Sequence, residues 1–224
     1  MPFYVAPEQQ MKDRAEYARK GIARGRALLA AEYADGVVFV SENPSKSLHK
    51  TSEIYDKIAF AAVGRYNEFE SLRVAGIRLA DIKGYQYARE DVTAKPLANA
   101  YSQALGTIFM GESKPYEVEL LIAQVDGDDD SELYHILYDG SIVDERRFVA
   151  IGGDTEPLMR AMDSRWQDAM TRDDVIRACV GALGEAGGSQ IAAGDLEVSG
   201  LDRTRPRRRF FRLRDELAEI LASD

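Results

Sequence analysis

Residues 21–43 read GIARGRALLAAEYADGVVFVSEN. Two apolar runs, 27–33 and 37–42, flank Ala34-Asp35-Gly36. An Asp-Gly pair between apolar runs is a strong hairpin signal, because these residues tolerate the backbone that a tight turn between twisted strands requires. The first run opens at Arg26, directly after Ala23-Arg24-Gly25. A guanidinium carries no nucleophilic oxygen and does not surrender its proton near neutral pH. The hairpin therefore begins on a residue unable to attack a substrate, with more chain still attached in front of it.

Upstream, Met11, Ala15, Ala18 and Ile22 recur at helical spacing, with Lys12, Asp13, Arg14, Glu16, Arg19 and Lys20 on the other faces. This predicts an amphipathic helix that starts at Pro7 and ends near Gly21 or Gly25. Downstream, IAFAAVG at 58–64 is apolar on both alternating faces and predicts a strand covered on both sides. Helices are expected at 67–82 and 94–110, then strands at 117–125, 133–138 and 146–152. The acidic stretch 126–130 reads as a solvated hairpin tip. Helices follow at about 156–169 and 172–184, the second opened by a capping box at Thr171-Arg172-Asp173-Asp174. Strands at 195–202 and about 208–213 lead to a last helix at 214–222. Paired sets of strands separated by paired helices, with no linker, point to one layered α/β domain of two stacked sheets between helical layers.

The bulk numbers narrow the function. The chain has 224 residues, 45% hydrophobic and 30% charged, and a formal net charge of −9. That balance is ordinary for a globular domain and disfavours a general nucleic-acid binder. The single cysteine, Cys179, excludes an internal disulfide and fits a reducing compartment. The first twenty residues lack a cationic start followed by an apolar core, so no secretory leader is expected. No run approaches the roughly 20 apolar residues of a membrane span. A cytoplasmic location is the expectation.

Familiar catalytic and ligand-binding patterns are missing. The only histidines, His49 and His135, read as a surface residue and a partly buried strand residue. No Cys/His cluster has metal-ligand spacing, and 126–130 lacks the spaced ligands of a calcium loop. No glycine-rich phosphate loop follows a strand, so no cofactor is expected. RTRPRRRFFRLR at 203–214 mixes arginines with Phe210 and Phe211, a pattern able to bind single-stranded RNA. The plainer reading is an exterior strand whose arginines meet acidic neighbours.

The stretches 7–50 and 52–77, together with YAREDVTAKPLANAYSQALGTIF, KPYEVELLIAQV, LYHILYDGSIVDERRFVAIGG and RPRRRF, resemble the α-type subunits of the actinobacterial proteasome core particle. The resemblance covers nearly the whole chain in order. It implies the four-layer αββα fold of N-terminal nucleophile hydrolases, with two mostly antiparallel sheets and an extra N-terminal helix. Residues 1–7 would form a gate segment, 8–25 the helix and 26–224 the body of a single domain. Catalytic relatives expose a threonine at the start of the first strand by cutting off a propeptide, and its own amine serves as base. The matching position here is Arg26. Glu42 and Lys50 keep the type of the neighbouring catalytic positions, but without the hydroxyl they cannot make a peptidase.

The resemblance instead implies an outer-ring subunit. Homo-heptameric rings of this chain would stack on rings of catalytic β subunits. The gate across the pore would comprise Pro2, Phe3, Tyr4, Val5, Ala6 and Pro7. Lys50, with Glu16 and Gly25, would form a pocket between neighbours that receives the C-terminal carboxylates of a ring-shaped ATPase activator. Neither nucleic acid nor membrane is an expected partner. The alternatives are an active hydrolase of the same fold, which needs a processed terminal Thr, Ser or Cys, and an RNA-binding protein using the 203–214 arginines. Within KPYEV, Glu117 stands where other α subunits suggest glycine.

Overall fold

The computed structural model describes residues 6–127 and 131–222. Its elements, in chain order, are α1 (Pro7–Ala23), β1 (Leu28–Tyr33), β2 (Gly36–Glu42), β3 (Thr51–Tyr55), β4 (Ile58–Gly64), α2 (Tyr66–Gln86), α3 (Ala94–Gly111), β5 (Val118–Gln124), β6 (Glu132–Ile136), β7 (Ile142–Asp144), β8 (Phe148–Ile151), α4 (Thr155–Asp163), α5 (Arg172–Gly187), β9 (Leu196–Asp202), β10 (Phe210–Leu213) and α6 (Leu217–Ala222).

The strands form two five-stranded sheets, β10-β9-β2-β1-β8 and β3-β4-β5-β6-β7, every pairing antiparallel. The β1–β2 hairpin closes with Tyr33 opposite Gly36, as the Asp-Gly signal predicts. Alternation along each strand explains the layers. In β1, Leu28 and Ala30 enter the core between the sheets, while Leu29, Ala31 and Tyr33 face the layer of α4, α5 and α6. In β4, Ala59, Ala61 and Val63 face inward, while Ile58, Phe60 and Ala62 meet α2 and α3. Strands buried on both faces must be apolar on both faces, and full burial of one such large side chain contributes roughly 1.5–3 kcal/mol. The result is the αββα sandwich, with α1 added at one end, where Ala18 and Ile22 pack into the inter-sheet core.

Several boundaries differ from the sequence reading. β3 is not announced in the sequence: it is an edge strand with a register shift between Glu53 and Tyr55 and two half-exposed positions. β7 is three exposed residues on the opposite edge. α4 stops at Asp163 rather than 169, and Ala169 takes a positive φ of 58°. Trp166 still packs on the core, its indole N–H donating to the Glu32 carbonyl at 2.9 Å. α1 begins at Pro7 and continues through Gly21, so Pro7, the last of the expected gate positions, is also the first residue of the helix. The capping box at α5 is present: Thr171 Oγ1 accepts from the Asp174 N–H at 3.2 Å, and the Asp174 carboxylate bonds the Thr171 side chain and amide.

Candidate functional site

The end of the sandwich where α1 meets β1 gathers most of the singled-out residues. Arg26 lies two residues before β1, inside a continuous backbone from α1, so its nitrogen is an amide. Its guanidinium pairs with Glu42, at the end of β2, at 3.1 Å. Lys50 Nζ donates to the Arg26 carbonyl at 2.8 Å and reaches the Glu42 carbonyl at 3.5 Å. Gly153 completes the wall: its φ is 60°, and an added Cβ would stand 3.3 Å from both the Gly25 carbonyl and the Ala27 nitrogen. Arg26, Glu42 and Lys50 thus lie together, with Gly25 one residue away.

The surroundings tune Lys50. Burial pushes its ammonium pKa down and the nearby Arg26 charge adds to that, while Glu197 and Glu42 oppose it, leaving it at about 8. Lys50 is therefore mainly charged at neutral pH, but far less firmly than an exposed lysine. Two of its three N–H groups have carbonyls within reach.

Glu197, on β9, is a residue that the sequence reading did not single out. Its side chain is 5% exposed. Oε2 accepts from Asn43 Nδ2 at 2.6 Å and the Lys50 N–H at 3.0 Å. Oε1 accepts from the Thr51 N–H at 3.1 Å, Thr51 Oγ1 at 2.6 Å and Arg212 at 3.1 Å. Burial alone would raise its pKa; the donors from Thr51, Asn43 and Lys50, with the Arg212 charge, hold it below the ordinary glutamate range. A signal was present in LEVSGLD: period two puts Glu197 and Ser199 on the face that carries Leu201 into the core.

Glu16 stands apart. It is exposed on α1 and bonded to Lys20 at 2.6 Å, which lowers its pKa. No contact joins it to Lys50 within the described residues. The helix itself is firmly placed. Arg14 donates to the carbonyls of Phe109 at 2.8 Å and Glu112 at 2.6 Å, satisfying the C-terminal end of α3. A Cβ at Gly21 would overlap the Glu117 carboxylate, so the helix touches that buried side chain. Glu117 is ion-paired with Arg65 and with Lys114, the latter at 3.0 Å. Of the gate positions, Ala6 caps α1 and its carbonyl accepts from Gln10 at 3.1 Å. Pro2, Phe3, Tyr4 and Val5 lie outside the described residues, as do 128–130 of the acidic tip.

His135, in β6, is 13% exposed between Glu119 at 3.7 Å and Glu145 at 3.5 Å. The segment 203–214 is largely committed to the protein. Arg205 donates to the Phe210 carbonyl at 2.7 Å, Arg208 pairs with Glu53 at 2.5 Å, Arg209 donates to the Val125 carbonyl at 2.7 Å, and Arg212 reaches Glu197 and the Thr51 carbonyl. Among the described residues no group of His, Cys, Asp and Glu is arranged to hold a metal, and no helix is long and apolar enough to cross a membrane.

Comparison with known proteins converges on one family. The model of the family described as "Proteasome subunit" matches residues 22–199. "Proteasome subunit alpha" of Sanguibacter keddieii is 56% identical over 229 residues, covering 100% of this chain and 90% of the relative. The protein of that name from Kineococcus radiotolerans is also 56% identical, over 99% of this chain and 98% of its own length. That from Streptomyces coelicolor is 53% identical over 99% and 90%. With the family model matching residues 22–199 and these relatives more than half identical over nearly the whole chain, the chain belongs to the proteasome subunit family.

Proposed function

We propose that the chain is a non-catalytic α subunit that walls off and meters entry to a proteolytic chamber formed by other subunits. One observation carries the reading: Arg26, which the resemblance matches to the family's nucleophile position, has an amide nitrogen, a side chain tied to Glu42 and a helix in front of it. The base required by that chemistry is a free terminal amine, and the nucleophile a hydroxyl; Arg26 offers neither. The naming of the relatives as α subunits supports the same assignment.

In this reading seven copies close a ring through heterologous contacts, and two such rings cap rings of β subunits in the cytoplasm. Residues 2–7 line the entry. Lys50, at the Arg26 turn, receives the terminal carboxylate of an activator tail from a ring ATPase that feeds unfolded proteins, tagged by a small protein modifier, into the chamber. Glu16 and Gly25 flank the pocket, and the lack of a Glu16–Lys50 contact within one chain suits a pocket shared between neighbours. One exposed ion pair contributes only about 0–1 kcal/mol, but several tails engaging one ring at high effective concentration bind usefully. Co-expression with a β subunit from the same genome, followed by electron microscopy, tests this: four stacked seven-fold rings are expected, and a chain that stays monomeric with every partner contradicts it.

A further inference from the structure

We propose that Glu197 is the positioning residue of the docking pocket: it clamps residues 43–51 so that the Lys50 ammonium is held, charged, at the Arg26 turn. The inference rests on the reading of Lys50 as the group that meets a carboxylate.

The clamp grips the loop at both ends. On one side Oε2 takes Asn43 Nδ2 at 2.6 Å, and the same amide group donates to the Leu48 carbonyl at 2.8 Å. On the other side the two carboxylate oxygens take successive backbone N–H groups, of Lys50 at 3.0 Å and Thr51 at 3.1 Å. The loop between is closed by its own bonds, Ser45 N–H to Asn43 Oδ1 and Leu48 N–H to Ser45 Oγ, both at 3.1 Å. Behind the carboxylate, Arg212 bridges to the Thr51 carbonyl at 2.7 Å, and Ser199 Oγ donates to Thr51 Oγ1 at 2.8 Å. Glu197 sits on one sheet and Thr51 on the other, so the loop bearing Lys50 is fastened where the two sheets meet.

The charge matters as much as the bonds. The groups around Lys50 are Arg26 and Glu42 from the β1–β2 side and Glu197 from β9; Arg212 and His49 lie beyond Glu197. Burial and Arg26 drive the ammonium toward its neutral form, and Glu197 is the larger of the two opposing charges. A glutamine there keeps the shape, loses that charge, and sets an NH2 group against backbone N–H donors that now face an acceptor. The ammonium then titrates at lower pH and its turn loosens.

The test uses the assembled core particle and two readouts. The first is the pH dependence of reductive methylation at Lys50, followed by peptide mass spectrometry. E197Q should move the apparent midpoint down and accelerate labelling at pH 7 at least threefold, whereas other lysines keep their profiles; an unchanged Lys50 profile overturns the proposal. The second is the ratio of stimulated to unstimulated peptide hydrolysis against concentration of the ring ATPase encoded in the same genome. E197Q should need roughly tenfold more ATPase, and wild-type stimulation overturns the link between the clamp and docking. K50A separates the two readings: full stimulation of K50A refutes Lys50 as docking group, while the methylation profile still judges the clamp. Should E197Q fail to assemble, N43A removes one donor to the same carboxylate, and a wild-type Lys50 profile in that variant counts against the clamp.

Discussion

Replacing Gly21 by alanine sets two physical effects of opposite sign against each other. In the interior of a helix, alanine is better than glycine by about 1 kcal/mol. Gly21 lies inside α1, so helix propensity alone predicts a more stable protein. At this position, however, the new Cβ would stand 2.6 Å from Glu117 Cγ and overlap its carboxylate. Glu117 is 4% exposed and is held by Arg65 and Lys114, so it cannot swing aside without leaving its partners. Unpairing a buried carboxylate from partners that are themselves half-exposed costs about 1–3 kcal/mol. Taking the upper value, about 3, because the carboxylate is charged and deeply buried, gives a net loss of about 2 kcal/mol. For a chain of this size that is a fall in Tm of about 4–8 °C. The assay is thermal and urea unfolding of wild type, G21A, E117A and the double variant at one protein concentration. In the E117A background the overlap is gone, so G21A should stabilise by about 1 kcal/mol, a change of sign within one cycle. G21A raising Tm in the wild-type background would refute the placement of α1 against Glu117.

His135 supplies a pH prediction. Burial lowers its pKa, but the carboxylates of Glu119 and Glu145 on either side of the ring outweigh this and raise it to about 9. The raised folded-state value means that the imidazolium contributes its full stability below pH ~6.5 and loses it as pH climbs through about 9. Stability should therefore fall across that window, with H135Q flattening the profile; a His135 ring titrating near 6.5 by NMR contradicts it. For the entry segment, removing residues 2–7 should speed peptide hydrolysis by the assembled particle severalfold, and unchanged rates reject that segment as the barrier.

What the sequence disclosed followed from how local the cause was. The β1–β2 hairpin and β4 were legible because turn chemistry and two-faced burial are written in adjacent residues. α1 was legible from its stripe, and of the two ends offered the one at Gly25 holds, since the helix closes at Ala23; Gly21 resembles a helix stop, yet lies inside the helix where it approaches Glu117, a residue 96 positions away. β3 and β7 are edge strands whose pairing comes from β4 and β6 rather than from their own alternation. At the site, Arg26, Glu42 and Lys50 were identified from the resemblance alone, and they meet in space. Glu197 was missed because its five donors come from residues 43, 50, 51 and 212. The arginines of 203–214 look like a binding surface in sequence, yet most spend their hydrogen bonds on carbonyls and carboxylates of their own chain.

The most direct measurement is turnover of a fluorogenic peptide by this chain purified alone, and again after assembly with β subunits, each with and without a threonine-directed covalent inhibitor. The account predicts no turnover and no labelling of the lone chain, then hydrolysis in the complex with the label found only on β. Inhibitor-sensitive hydrolysis by the lone chain would contradict it.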